Sequence, residues 1–150
     1  MRASVRAMVD VVSGSPGETE EIAARLAARL VAGDVVYVSG ELGSGKTTFV
    51  RGACRALGIE APVTSPTYVV GHRDDGVSHL DLYRFERLTD ADWGALEPYF
   101  EDTVVFVEWP ERAAGRLAPA RVSVELAHVD AERRAVRLAS GDPDLLAGLL

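Results

Sequence analysis

The segment GELGSGKT, residues 40–47, constrains this chain more than any other part of it. It matches G-x-x-x-x-G-K-[ST] in full, a pattern that works only where a strand enters the loop and a helix leaves it. Its glycines let successive backbone N–H groups turn inward around phosphate oxygens. The helix that follows adds the positive end of its dipole. Leu42, Gly43, Ser44, Gly45, Lys46, Thr47 and Thr48 are therefore candidate nucleotide-binding residues, with the Thr47 hydroxyl placed to coordinate Mg²⁺. Lys46 is the single lysine among sixteen basic residues. A compact ammonium on a flexible stem reaches the β- and γ-phosphates between backbone donors, where a planar guanidinium substitutes badly.

The flanking sequence supplies the required context. Residues 35–38 are a short apolar run, expected as a buried strand, and residues 47–57 read as a helix closed by Gly58. Upstream, residues 3–12 read as a first strand. Ser15, Pro16 and Glu18 have the form of a capped helix start. Ile22, Leu26 and Leu30 then make one apolar stripe, with Gly33 as the stop. Residues 67–73 and 77–83 flank Asp74, Asp75 and Gly76, which predicts a hairpin. Residues 89–97 read as a helix capped by Thr89, residues 103–107 as a strand, and residues 111–117 as a short helix. A second hairpin is expected over 122–129 and 135–138, and a last helix over 142–150. Alternating strands and helices followed by hairpins predict an α/β, three-layer P-loop NTPase-like domain with a central mixed, partly antiparallel sheet. One such domain over 1–150 is the expected organisation for 150 residues.

A P-loop needs an acidic partner for its metal at the end of a neighbouring buried strand. The run VVFVE supplies Glu108, a candidate to bind Mg²⁺ directly or through water, or to polarise the attacking water. The segment HLDLYR alternates polar and apolar residues, so His79, Asp81 and Tyr83 share one face. Asp81 is a candidate for orienting water near the γ-phosphate. Thr64, Ser65, Pro66 and Thr67 form a hydroxyl-rich loop of the kind that senses a γ-phosphate in other P-loop proteins.

Composition removes several classes. The net charge is −7 with scattered basic residues, so the basic footprint of a chain that holds nucleic acid alone is missing. No apolar run approaches a membrane span, and residues 1–15 lack the apolar core of a signal peptide, which makes the cytoplasm the expected location. The lone cysteine, Cys54, excludes an internal disulfide and reads as a small core residue.

Taken together, GELGSGKTT, TSPTY, HLDLYR and VEW, in this order and spacing, resemble the TsaE (YjeE) family of bacterial P-loop proteins. The resemblance covers most of the chain. It implies an ATP- and Mg²⁺-dependent ATPase with weak intrinsic activity. The implied role is the N6-threonylcarbamoyl modification of adenosine 37 in tRNAs reading codons that begin with A. It also implies association with the TsaB–TsaD pair, with tRNA engaged only indirectly and no membrane involved. Carried over by position, Lys46 contacts phosphate, while Thr47 and Glu108 hold the metal. Asp81 matches a functionally important aspartate, and Thr64, Ser65, Pro66 and Thr67 match a switch-like loop. Trp109 falls beside the metal site. Glu111 and a late arginine, Arg134 or its neighbour Arg133, fall near the nucleotide, and the segment at Pro16 near the adenine. Tyr68 and Phe85 depart from the usual residues but keep an apolar body. The competing reading is a small-molecule kinase, with Arg112, Arg116 and Arg121 as a lid.

Overall fold

The computed structural model describes residues 4–59, the backbone of 71–74, and residues 76–150. The loop of Thr64, Ser65, Pro66 and Thr67 lies outside them, as does Tyr68.

Local chemistry sets most element boundaries. The first strand, β1 (Ala7–Ser13), leads into α1 (Pro16–Ala27). Ser15 Oγ accepts the Glu18 N–H at 3.2 Å, and the Glu18 carboxylate reaches back to the Gly14 N–H at 2.5 Å. One first-turn donor and the N–H just ahead of the cap are satisfied in this way, a capping box shifted by one residue on its return bond. Thr89 caps α3 (Asp90–Leu96) in the regular form, exchanging bonds with Asp92. Asp142 caps the single turn of α4 (Pro143–Leu146).

Three expected helices are shorter in the structure. The first ends at Ala27 rather than at Gly33, and Leu30 is buried from the loop beyond it. The helix expected over 111–117 is one 3₁₀ turn, Pro110–Ala113, because Ala114 leaves helical backbone with ψ 133°. The last helix stops at Leu146, where Ala147 does the same with ψ 123°. A glycine follows each of these alanines, the residue that most favours a stop.

The remaining elements are β2 (Val35–Gly40), α2 (Lys46–Ala56), β3 (Gly71–Asp74), β4 (Val77–Asp81), β5 (Val104–Glu108), β6 (Val122–His128) and β7 (Arg134–Ser140). Among the described residues they form one seven-stranded sheet in the order β1-β7-β6-β2-β5-β4-β3. The strands around β2 are parallel, while β3–β4, β6–β7 and β1–β7 are antiparallel. The sheet is therefore mixed, as expected.

Helices α1 and α2 cover one face, over Val36, Val38, Phe106, Val124 and Leu138. On the other face Leu80, Leu82, Val105 and Val107 pack beneath Leu88, Leu96 and Ala113. The fully buried strand β5 reads as a continuous apolar run because successive side chains enter different cores. Fully burying each such side chain contributes about 1.5–3 kcal/mol. Cys54 lies in the α1–α2 core, where burial pushes its thiol up to about 11. Helices α1 and α2 cross where Gly52 meets Glu20. A Cβ on Gly52 would stand 2.5 Å from the Glu20 backbone, so the two helix backbones touch directly.

Candidate functional site

Strand β2 ends at Gly40, and the chain turns sharply into α2. Gly40, Gly43 and Gly45 have φ of +148°, +77° and +101°, backbone that L side chains rarely adopt. A Cβ on Gly40 would also collide with Ser44 Oγ, 2.5 Å away. Helix α2 opens from Gly45 without a side-chain cap, whereas α1, α3 and α4 each have one. Its N-terminal residues line a cleft of about 590 Å³. An uncapped helix start with glycine backbone around it is suited to an anion. Ser44 Oγ is buried and makes no hydrogen bond among the described residues.

Lys46 is buried at the base of the loop, its Nζ donating to Gly40 O at 2.8 Å and Glu41 O at 2.9 Å. The ammonium also lies 4.5 Å from the centre of the Trp109 ring. Burial lowers its pKa, opposed by the charges of Glu108, Asp81 and Glu111.

Parallel pairing of β4 with β5 sets Asp81 opposite Glu108. Both carboxylates face the cleft. Asp81 is half-buried, and Oδ1 accepts the Tyr83 N–H at 3.0 Å. Burial raises its pKa above the ordinary value, helped by the charge of Glu108 and opposed by the Tyr83 N–H, His79 and Lys46. Thr47 Oγ1 is 3.4 Å from each carboxylate oxygen of Glu108. Two cis oxygens on an octahedral magnesium would stand about 3 Å apart, and magnesium prefers a few hard oxygen ligands with waters and phosphates completing the shell. The Thr47 hydroxyl and Glu108 carboxylate fit such an ion.

Trp109 follows directly, in the left-handed region with φ 59° and ψ 50°. That conformation costs a non-glycine residue on the order of 1–3 kcal/mol. Its ring is held by Tyr83, 5.0 Å away between centroids, and by the Arg112 guanidinium at 5.6 Å. Arg112 also donates to Phe85 O at 2.8 Å, so it braces the turn that carries Tyr83 and Arg84.

The structure thus brings Leu42, Gly43, Gly45, Lys46, Thr47, Thr48, Asp81, Glu108 and Trp109 around one cleft. Ser44 lies buried beneath the loop. Glu111 is exposed on the turn after Trp109 and acts on Lys46 through its charge. Pro16 and Arg134 do not line the cleft. Arg134 pairs in register with Ser13 at the end of β1, close in sequence to Pro16, and its guanidinium folds onto the carbonyls of Asp130 and Arg133. Arg133 is tied to Asp130 at 2.7 Å.

Three site residues were not singled out from the sequence. Tyr83 and Arg84 line the cleft, and His79 lies behind it with Nε2 2.5 Å from Glu108 Oε2. The alternation of HLDLY placed His79 on the face of Asp81, which was the available signal.

The family described as "Threonylcarbamoyl adenosine biosynthesis protein TsaE" matches residues 13–136. Among proteins named "tRNA threonylcarbamoyladenosine biosynthesis protein TsaE", that of Mycobacterium tuberculosis is 38% identical over 125 residues, 75% of this chain and 74% of its own. The Streptomyces coelicolor protein is 36% identical over 149 residues, covering 85% and 99%. The Bacillus subtilis protein is 35% identical over 126 residues, covering 81% and 79%. The crystal structure of Bacillus subtilis YdiB superposes with a TM-score of 0.78 at 28% identity, over 97% of this chain and 95% of that one. With this cleft and this sheet behind it, the chain belongs to the TsaE family of threonylcarbamoyl adenosine biosynthesis proteins.

Proposed function

We propose that residues 1–150 act as one Mg²⁺-dependent ATPase unit, slow alone, that serves as a nucleotide-dependent partner of the TsaB–TsaD pair in tRNA threonylcarbamoyladenosine synthesis. The observation that carries this reading is the meeting of an uncapped P-loop helix, Lys46 and two carboxylates in one cleft. Backbone donors and Lys46 bind the phosphates. Thr47 and Glu108 would hold the metal, which would supply charge neutralisation at the phosphates. Asp81, half-buried and fixed by the Tyr83 N–H, orients the attacking water. Loop closure involving Thr64, Ser65, Pro66 and Thr67 then reports the γ-phosphate to the partners.

The kinase alternative draws no support from its arginines. Arg116 and Arg121 pair with Asp90 and Asp142, and Arg112 is committed to Phe85 O. Cytoplasmic action suits this role. No helix among the described residues is long and apolar enough to cross a membrane. The test is phosphate release by the purified chain with and without TsaB and TsaD. Stimulation is expected, accompanied by an ATP-dependent complex in a pull-down. Activity that stays flat with partners present, or a phosphorylated metabolite in place of free phosphate, would refute the proposal.

A further inference from the structure

Glu108 has two carboxylate oxygens, each 3.4 Å from the Thr47 hydroxyl, and Oε2 carries a further bond from behind the cleft. His79 Nε2 stands 2.5 Å from Oε2, with only 5% of the His79 side chain and 3% of the Glu108 side chain exposed. A hydrogen bond to a carboxylate, buried on both sides, restrains the rotation of that carboxylate. His79 itself sits on β4 opposite Phe106, at the boundary between the apolar core and the cleft. It is not among the cleft-lining residues, so it has no surface to offer a nucleotide. An imidazole at such a boundary costs desolvation unless its ring nitrogen is satisfied, and Glu108 satisfies it.

We propose that His79 is a positioning residue for Glu108, holding Oε2 so that the carboxylate stays beside the Thr47 hydroxyl, where the two side chains would hold magnesium. The inference rests on the Mg²⁺-dependent reading above. Asp81, Lys46 and Glu111 are the other charges around this pair. Of the contacts to Oε2 among the described residues, the imidazole makes the closer one, and the Thr47 hydroxyl stands 3.4 Å away. Removal of an outer partner of a metal ligand lowers metal affinity by about tenfold to a hundredfold.

The experiment measures ADP and ATP affinity by titration calorimetry, first in EDTA and then across a magnesium series, for the wild type, His79→Ala and His79→Gln. For His79→Ala we expect unchanged affinity in EDTA. The magnesium concentration that gives half of the metal-dependent gain should rise by about tenfold to a hundredfold. His79→Gln retains an N–H donor and should recover most of the shift. A magnesium midpoint equal to the wild type in both variants overturns the proposal. Equal loss of affinity with and without metal, unrelieved by glutamine, assigns His79 a merely structural role and overturns it too. A wild type whose affinity ignores magnesium defeats the underlying metal reading, and this inference with it.

Discussion

Asp81 is held in the cleft at a cost, because burial raises its pKa and the nearby charge of Glu108 adds to the effect. A carboxylate whose folded pKa is raised opposes folding once it ionises, so its contribution to stability falls as pH rises through that folded value. Asp81→Asn should therefore raise the melting temperature at pH 7 while leaving nucleotide binding intact and abolishing hydrolysis. Calorimetric melting and phosphate release on the same preparation check both halves. If Asp81 must be ionised to orient water, the acid limb of the pH–rate profile should lie above the ordinary carboxylate value of 3.8. Arg84, exposed on the turn braced by Arg112, lines the cleft and is a cation there that could meet charge developing on a phosphate if the cleft hydrolyses ATP. Arg84→Ala should lower turnover by about a hundredfold with little change in ADP affinity, measured by steady-state kinetics and titration. Lys46, Thr47 and Glu108 were expected together from the phosphate loop and the acid ending a buried strand, and Asp81 from the alternation of its strand. The structure sets all four around one cleft. His79 was not legible in this way, because alternation assigns a face but does not identify the neighbour. Its bond to Glu108 depends on β4 lying beside β5, twenty-nine residues apart along the chain.

The elements were legible wherever their causes are local. Ser15, Thr89 and Asp142 accept first-turn N–H groups within three residues of themselves, and each marks a helix start that the sequence shows. The sheet order was hidden, because β2 takes its parallel partners from residues about seventy and more positions away. The turn after Glu108 was also hidden. A run of good helix formers predicts a helix there, but Trp109 takes a left-handed backbone to set its ring over Lys46, and a single 3₁₀ turn follows. At the α1–α2 crossing the contact is backbone against backbone, so Gly52→Ala should force the helices apart. Overpacking of this kind costs about 1–3 kcal/mol, which urea unfolding would register as a lower midpoint without a changed slope. At the β6–β7 turn, Asp130 accepts N–H bonds from Glu132 and Arg133 and an ion pair from the Arg133 side chain. These hold its pKa down to about 2. The support Asp130 gives the turn is complete above 3.8 and should be lost as pH falls toward 2, a change that Asp130→Ala should abolish in acid-titrated amide exchange.

At the scale of the whole molecule, charge decides what the protein can hold without help. The net charge is −7, and many surface arginines are already matched by acids. Arg25 faces Glu21, Arg55 faces Glu20, Arg116 faces Asp90, Arg121 faces Asp142 and Arg137 faces Asp10. Such exposed pairs add little stability, but each removes a cation from the field that a polyanion would feel. Binding to a nucleic acid backbone draws its free energy from the release of counterions by clustered cations, and these pairs leave no such cluster among them. The expectation that follows is that the chain reaches tRNA through partner surfaces rather than through its own electrostatic field. The free protein should not retain tRNA in a gel-shift assay at about 0.15 M salt, where screening reaches about 8 Å. Adding the TsaB–TsaD pair and ATP should bring both tRNA and this chain into one shifted species. Arg137→Glu, remote from the cleft and paired with Asp10, should leave that species unchanged. Tight retention of tRNA by the chain alone, with a steep loss on adding salt, would show that the acidic surface hides a cationic site and would reverse the order of assembly.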